Sequence, residues 1–480
     1  MSLKKSNRSK RPLFFLFLLL GIGTIWLYSQ YDAEAGGTDP TDIDLSTFFG
    51  GSGNECEFGR CSIAIDDDGS IIVAGSTPST DIPLQNPLFI DSDAGSTADI
   101  FVMKLTPDGS SLVFSTYIGN GTAQGMKLDD DGNIYVVGYS SDDNFPTTSD
   151  AYANCVGNGI DAVFFKLNST GTSLEYSSCI GGAGRDEAHD IAINSQGQMI
   201  IVGDTLSTDF PLQSPYQNTA GDDEDIFLAK LSTNGSSSSL LFSTYFGGDS
   251  RDYGWGLEVD DADNIYIGGR SSSDDFPTTA GVIQSERLSN AGTDSIVAKF
   301  SNAGNLLYST FYNTVSTSEA ADIAVDDNGN LYFVTTWEEA IKLNPTATEI
   351  LYFVDLDDFF VPVEGKAQIA LDDENNLYIL GQDTSSQSNL VLTAVHHTGR
   401  AVFSRTIGGS DMEDSMGLAL RQNNDEVTAY LLGVSKSTDF PTINALYPTL
   451  AGGFDIVITN VTGLETAVQF NEIYLPLMIR

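Results

Sequence analysis

The chain is short of positive charge, histidine and cysteine, and each shortage closes off a class of function. Of its 480 residues only 22 are Lys or Arg, against 66 Asp or Glu, a formal net charge of −44. Five of those cations, Lys4, Lys5, Arg8, Lys10 and Arg11, stand at the extreme N-terminus, which leaves 17 for everything after it. Nucleic-acid binding needs clustered cations to neutralise phosphates, and the remaining cations form no cluster. An anionic lipid surface is disfavoured on the same ground. Enzyme signatures are missing as well: there is no Gly-rich phosphate loop, no His-Glu-x-x-His and no nucleophile elbow. No helical periodicity of useful length follows residue 35. The acidity itself reads first as solubility in a saline or crowded exterior, and second as an attraction for divalent cations or a basic partner.

The N-terminal cations precede an uncharged apolar run, Leu13 to Tyr28, of 16 residues. As a helix it would reach about 24 Å at ~1.5 Å per residue, short of a hydrocarbon core roughly 30 Å thick. Its length suits an export signal, with Ala33-Glu34-Ala35 as a small-residue cleavage site. Residues 1–35 are therefore expected to be a signal peptide, or else an uncleaved N-terminal anchor, followed by a linker over 36–42. On either reading the rest of the chain is extracytoplasmic. Four cysteines, Cys56, Cys61, Cys155 and Cys179, are an even number in an oxidising compartment. Four allow three pairings; the local ones, Cys56–Cys61 and Cys155–Cys179, are expected. No second-ligand spacing accompanies them, which argues against zinc.

What the chain has in abundance is repetition. The phrase Asp-Asp-x-x-Asn-Ile/Leu-Tyr followed by an apolar run occurs at 129–138, 260–269 and 326–335. Weaker copies lie at 66–75, 194–203, 372–381 and 423–433. The copies end at 75, 138, 203, 269, 335, 381 and 433, which makes seven with the later ones shortened. Each carries four strand-like pieces separated by Gly, Asn and Asp turns. Continuous apolar runs such as Ile71-Ile72-Val73 mark strands buried on both faces. The expected fold is all-β: a seven-bladed β-propeller of four-stranded antiparallel blades over residues 43–465. A lone outer strand, Asp44 to Gly51, precedes the first copy, and the last copy lacks one. The N-terminal strand is thus predicted to complete the last blade and close the ring. The apolar tail, 466–480, is expected to pack on the propeller and is the competitor for that place.

Four phrases in fixed order carry a resemblance to a known family. They are Leu241–Gly248 (Leu-Phe-Ser-Thr-Tyr-Phe-Gly-Gly), Asp129–Tyr135, Ser207–Pro211 (Ser-Thr-Asp-Phe-Pro) and Asp225–Leu231. Together they resemble the bacterial SBBP-type β-propeller repeat over about residues 43 to 461. The resemblance implies a seven-bladed fold and an exported bacterial surface or extracellular protein. It brings no catalytic residues with it. Copies five and six depart most from the pattern, lacking the Phe-Pro loop and the Gly-Gly pair, and are expected to be the least regular blades.

Within a blade the first-to-second and third-to-fourth turns are short, whereas the second-to-third and fourth-to-first links read as long and varied. All long loops then fall on one face of the disc, which becomes the binding face. On it a pattern recurs: Gly181-Gly182 before Arg185 and Asp186, Gly247-Gly248 before Arg251 and Asp252, Gly408-Gly409 before Glu413 and Asp414. The carboxylates Asp186, Asp252 and Glu413 are candidate Ca²⁺ ligands; the competing reading is that each caps the Gly-Gly turn. The Asp-rich hairpin turns resemble part of a calcium loop but lack the further ligands, and read better as tight turns. Lys104, Lys166, Lys230 and Lys299 recur at one strand position and are expected to form ion pairs between blades. Tyr253 and Trp255 beside Arg251 form the candidate aromatic contact for a sugar or peptide. His189 belongs to the same face, whereas His396 and His397 flank a short turn on the opposite side, so the three should not converge.

The expected function is a non-enzymatic, secreted or cell-surface binding scaffold. It would act as a monomer through its long-loop face on a protein, glycan or matrix component. It would need no cofactor beyond an optional Ca²⁺. The alternative is a calcium-assisted carbohydrate-active enzyme at the central channel.

Overall fold

A computed structural model describes residues 42–464 apart from short segments at 58–60, 91–97, 154, 156–158, 233–238, 289–291, 315–316, 337–338, 357–366, 384–387 and 425. The expected signal at 1–35, the linker up to residue 41 and the tail at 466–480 lie outside the described residues. Among those described, no helix is long and apolar enough to cross a membrane.

The strands assemble into seven four-stranded antiparallel sheets. Blade 1 comprises Ser62–Ile65, Ile71–Thr77, Asp99–Leu105 and Leu112–Asn120; blade 2, Thr122–Leu128, Ile134–Ser140, Asp161–Leu167 and Leu174–Ile180. Blade 3 comprises Asp186–Ile193, Met199–Thr205, Asp225–Ser232 and Ser239–Phe246; blade 4, Asp252–Val259, Ile265–Ser271, Asp294–Phe300 and Leu306–Tyr312. Blade 5 comprises Ala320–Val325, Leu331–Thr335, Glu339–Leu343 and Ile350–Asp355; blade 6, Gln368–Leu371, Leu377–Gln382, Leu390–His396 and Arg400–Ile407. Blade 7 has Glu413–Asn423, Glu426–Ser435 and Asp455–Val461, and its outer strand is the N-terminal Ser46–Phe49. Each inner strand touches the inner strands on either side, and that of blade 1 touches that of blade 7, so the ring is closed.

The core lies between the blades rather than within them. Seven apolar clusters occupy the seven junctions, one each. The period-2 geometry of a strand explains why the sequence runs are continuously apolar. In Ile71–Ala74, Ile71 and Val73 face blade 7 while Ile72 and Ala74 face blade 2. The closing strand follows the same rule. Phe48 enters the junction of blades 6 and 7, and Phe49 the junction of blades 7 and 1; both are buried. Ser46 to Phe49 pair with Thr459 to Ile456 as expected.

The repeated hairpin phrase is a structural turn. Asp129 Oδ1 accepts the Asp131 and Asn133 N–H groups at 3.1 and 2.8 Å, while Oδ2 accepts from the Asn133 amide at 2.9 Å and the Tyr135 hydroxyl at 3.1 Å. Gly132 supplies the left-handed backbone, with φ 73°. Burial raises the Asp129 carboxyl's pKa, but the Asn133 donors and Lys166 outweigh it and hold the group ionised.

The repeated lysines correct an expectation. Lys104, Lys166 and Lys299 pair mainly inside their own blade, with turn aspartates Asp66 (2.5 Å), Asp129 (3.3 Å) and Asp260 (3.1 Å). The reason is register: the third strand passes beside the turn of the first two. Blade 3 has Asn194 where the others have Asp, so Lys230 crosses instead to Asn302 of blade 4. The fourth-to-first links are also shorter than expected. They narrow to the single residue Gly121 between blades 1 and 2, and to 181–185 and 247–251 around blade 3. Blades 5 and 6 keep four paired strands despite their shortened loops. Both disulfides pair as expected, with Cα separations of 5.8 Å for Cys56–Cys61 and 5.2 Å for Cys155–Cys179.

Candidate functional site at the channel mouth

The acids after the Gly-Gly pairs are turn caps. Asp186 accepts the Gly182 N–H at 2.8 Å, Asp252 the Gly248 N–H at 2.7 Å, and Glu413 the Gly409 N–H at 3.2 Å. Hydroxyls complete the shell: Ser207 on Asp186 (2.8 Å), Ser273 on Asp252 (2.8 Å), Ser435 on Glu413 (2.8 Å). Each carboxylate is fully buried in a different blade and is directed at its own turn. The three do not come together as a calcium site, because the peptide donors of each turn already claim them. Asp414 is held separately by the Gln382 amide of blade 6.

Other candidates do converge, on the long-loop face where the inner strands of blades 3 and 4 begin. Cross-strand pairing puts Glu187 opposite Asp204 in blade 3 and Tyr253 opposite Arg270 in blade 4. A β-bulge at Ala188/Asp190 and another at Gly254/Gly256 turn His189 and Trp255 towards the channel. Arg185 meets Glu187 at 3.1 Å, Asp204 at 3.4 Å and, more closely, Glu224. His189 Nε2 contacts Asp204 Oδ1, and its ring lies 4.5 Å from that of Trp255. Trp255 stacks parallel on Tyr253, with centroids 5.7 Å apart and an interplanar angle of 5°. The Arg270 guanidinium caps the Tyr253 ring at 4.4 Å and pairs with Glu319 of the next blade's approach. Burial, and then the hydrogen bond it donates to Glu224, push the Tyr253 hydroxyl up to about 12, so it stays a donor. Arg251 is the most open member, its side chain 62% exposed, and pairs with Asp223 at 3.3 Å. His396 and His397 stack on each other at the far turn of blade 6, away from His189.

Below this rim all seven inner strands line a central channel with a cavity of about 320 Å³. Lys127 of blade 2 reaches Glu258 of blade 4 at 2.7 Å. The Glu258 carboxylate raises the Lys127 ammonium's pKa despite its burial. Asp190 accepts the Leu257 N–H of blade 4 at 2.9 Å, and Asp322 the Ile369 N–H of blade 6 at 2.9 Å. Burial pushes Asp190 up to about 7, partly offset by Lys127. Gly125 and Gly256 make the close approach possible: a Cβ on Gly125 would stand 2.9 Å from the Asp190 Cα and one on Gly256 3.4 Å from the Asp322 Cα.

Sequence reasoning missed Glu187, Asp204, Glu224 and Arg270 at the rim, and Lys127, Asp190, Glu258 and Asp322 in the channel. One signal was available. The residue after the repeat's closing Gly is Ser76, Tyr139, Asp204, Arg270 or Gln382 in different copies. Variation at a position the repeat otherwise holds in register marks a side chain released from structural duty.

Comparison with known proteins bears on the fold. The SBBP β-propeller repeat matches residues 113–146 and 241–277. No curated protein matches the chain. Among solved structures, a protein of unknown function from Dyadobacter fermentans DSM 18053 is 9% identical, with 88% of this chain and 99% of that one covered and a TM-score of 0.44. A protein of unknown function from Bacteroides caccae is 12% identical, with 64% and 89% covered and a TM-score of 0.36. With seven blades in the ring and the repeat matched in two segments, the chain is a seven-bladed β-propeller that carries SBBP-type repeats at 113–146 and 241–277.

Proposed function

We propose that the protein is a non-enzymatic, extracytoplasmic binding scaffold that holds a glycan at the channel mouth between blades 3 and 4. The observation that carries this reading is the convergence of Tyr253, Trp255 and His189 with Arg185, Arg251, Glu187 and Glu224 at one concave rim. Aromatic edges alternating with charged donors and acceptors suit a ligand that is apolar on its ring faces and hydroxylated at its edges. The cavity of about 320 Å³ has the size for a chain end rather than for a folded partner. The two disulfides accord with an oxidising compartment outside the cytoplasm. Loss of a charged hydrogen bond costs about 1.5–3 kcal/mol, so Arg251→Ala and Tyr253→Phe should each weaken glycan binding about tenfold or more. The measurement is affinity electrophoresis of the protein in gels carrying neutral, amino-sugar or uronic-acid polysaccharides. Retardation by none of them, or retardation unchanged in both variants, would refute the reading.

One observation favours a second reading, a carbohydrate-active enzyme in the channel. Asp190, its pKa raised by burial, lies beside the Lys127–Glu258 pair, and a proton-bearing carboxyl near a carboxylate is the pairing that glycoside cleavage uses. Release of reducing or unsaturated ends from the same polysaccharides would establish that reading, and loss of the release in Asp190→Asn would locate it.

A further inference from the structure

We infer that the C-terminal segment Ile473–Ile479 docks as a fifth strand on the outer edge of blade 6, beside Arg400–Ile407. Each fourth strand is a sheet edge, and an edge left bare invites pairing. Blades 1, 2, 3, 4 and 7 cover theirs with the loop between their second and third strands. The Ser115 N–H of blade 1 donates to the Gln85 carbonyl at 2.8 Å, that of Ser243 in blade 3 to Gln213 at 2.9 Å, and that of Ser46 in blade 7 to Ile443 at 2.8 Å. In blades 2 and 4 the loop donates instead, from Thr148 to the Ser177 carbonyl at 3.1 Å and from Thr279 to that of Ser309 at 3.0 Å. The serine at this register position, Ser46, Ser115, Ser177, Ser243 or Ser309, is fully buried in all five blades.

Blade 6 keeps the serine and loses the cover. Its second-to-third link is 383–389, where blade 3 has 206–224. Ser404 and Thr406 stand at the positions of Ser243 and Tyr245. Both are exposed, and among the described residues no loop backbone bonds to either. Blade 5 also has a short link, 336–338, but carries Phe353 at the serine's position.

The tail is placed to supply what blade 6 lacks. The outer place in blade 7 is already taken by Ser46–Phe49. The last strand ends at Val461, opposite Ala429, at the end of the blade that carries the short turns. Leu464 is then buried in the same apolar cluster against which Val402 and Phe403 of blade 6 pack. The stretch 465–472 reaches up to about 26 Å at ~3.3 Å per residue, whereas a four-stranded blade is about 15 Å across at ~4.8 Å between strands. A segment rising from that end runs the same way as Arg400–Ile407. The covering loops take this course too: in blade 3, Gln213 and then Gln217 meet Ser243 and then Tyr245.

The tail sequence has the pattern of an edge strand. Ile473, Leu475, Leu477 and Ile479 alternate along it. Alternate residues of a strand bond to the same side, so with 473, 475 and 477 bonded to blade 6 the missing N–H of Pro476 faces outward. There a proline forfeits no ladder bond and blocks the addition of a further strand. This docking is independent of what the channel mouth binds.

The test is hydrogen exchange read by mass spectrometry on the full chain, on the chain ended after Leu464 and on Leu475→Asp. In the full chain the Ser404 and Thr406 amides should be protected. In both variants they should exchange about tenfold faster or more, while the outer strand of blade 5, Ile350–Asp355, and the inner strands keep their rates. Light scattering should find a monomer, with protection that does not vary with concentration. Equal exchange at Ser404 and Thr406 in all three proteins would overturn the assignment, as would a change confined to the outer strand of blade 5. Faster exchange throughout the ring in both variants would place the tail in the core instead, and protection that grows as a dimer forms would make a second copy the occupant; either result also overturns it.

Discussion

At the scale of single residues, the repeat spends most of its conspicuous side chains on holding the backbone. The glycine that closes each apolar strand shows why. A Cβ on Gly203 would stand 1.9 Å from the Glu187 carbonyl oxygen, and one on Gly269 the same distance from that of Tyr253. The glycine therefore admits the bulge that aims His189 and Trp255. Gly203→Ala should destabilise by about 2–4 kcal/mol, in the range of severe steric and backbone changes. It should also shift Trp255 fluorescence in the folded fraction, because the bulge must move. Urea unfolding followed by far-ultraviolet dichroism and by fluorescence measures both effects; an unchanged midpoint would show that the bulge yields freely. The same residue scale explains what was readable. Turn acids, Gly-Gly pairs and hairpin aspartates each recur in several copies, so their role followed from repetition. Asp204 and Arg270 occur once each, and only strand pairing brings them to Glu187 and Tyr253.

At the scale of elements, the ring depends on four residues. The strand Ser46–Phe49 buries one phenylalanine in each of two junctions and pairs its backbone with Ile456–Thr459. Replacing a buried Phe by Ala costs about 3–5 kcal/mol. Phe48→Ala should lower the denaturant midpoint by a corresponding amount, and removal of residues 42–49 should cost more than either ring alone, since the backbone ladder is lost too. Calorimetry on these two variants decides whether this strand closes the ring; a melting temperature within a degree of the parent's for the deletion would contradict it. Strand pattern and blade number were legible because each strand alternates between two neighbours and the copies count themselves. Loop length was less legible. The fourth-to-first links looked long because the sequence does not mark where an outer strand ends and the next inner one begins, and Gly121 alone separates two of them.

At the scale of the whole molecule, buried acids set how stability responds to pH. Burial raises Glu55 and Asp225 to about 7 and Asp252 to about 6, all above their ordinary values near 4. These groups sit at the junctions of blades 7 and 1 and of blades 3 and 4. The folded ring binds their protons more tightly than the unfolded chain does. Their contribution is fully present below about pH 4 and is lost as pH rises through about 6 to 7. Turn acids such as Asp129, Asp260 and Asp326 are shifted the other way: burial acts against them, but their amide donors and lysines prevail. Their contribution disappears as pH falls below the ordinary carboxylate range. Stability should therefore peak in mildly acid solution, near pH 5, and the melting temperature should fall by several degrees on going to pH 8. A melting temperature that rises from pH 5 to pH 8 would show that these acids are ionised throughout. Asp225→Asn should flatten the alkaline side of the profile.

The closing strand also ties the ring to the order in which the chain is made. Ser46 meets Thr459 across 413 residues of sequence, and at roughly 5–20 residues per second that gap is about 20 to 80 s of synthesis. For all of that time the first strand has no mate, and its two aromatic rings stay wet or in the keeping of a chaperone. Only a polypeptide that reaches its seventh repeat can claim them. A chain broken off before its seventh repeat lacks the partner of that strand and leaves two sheet borders unpaired.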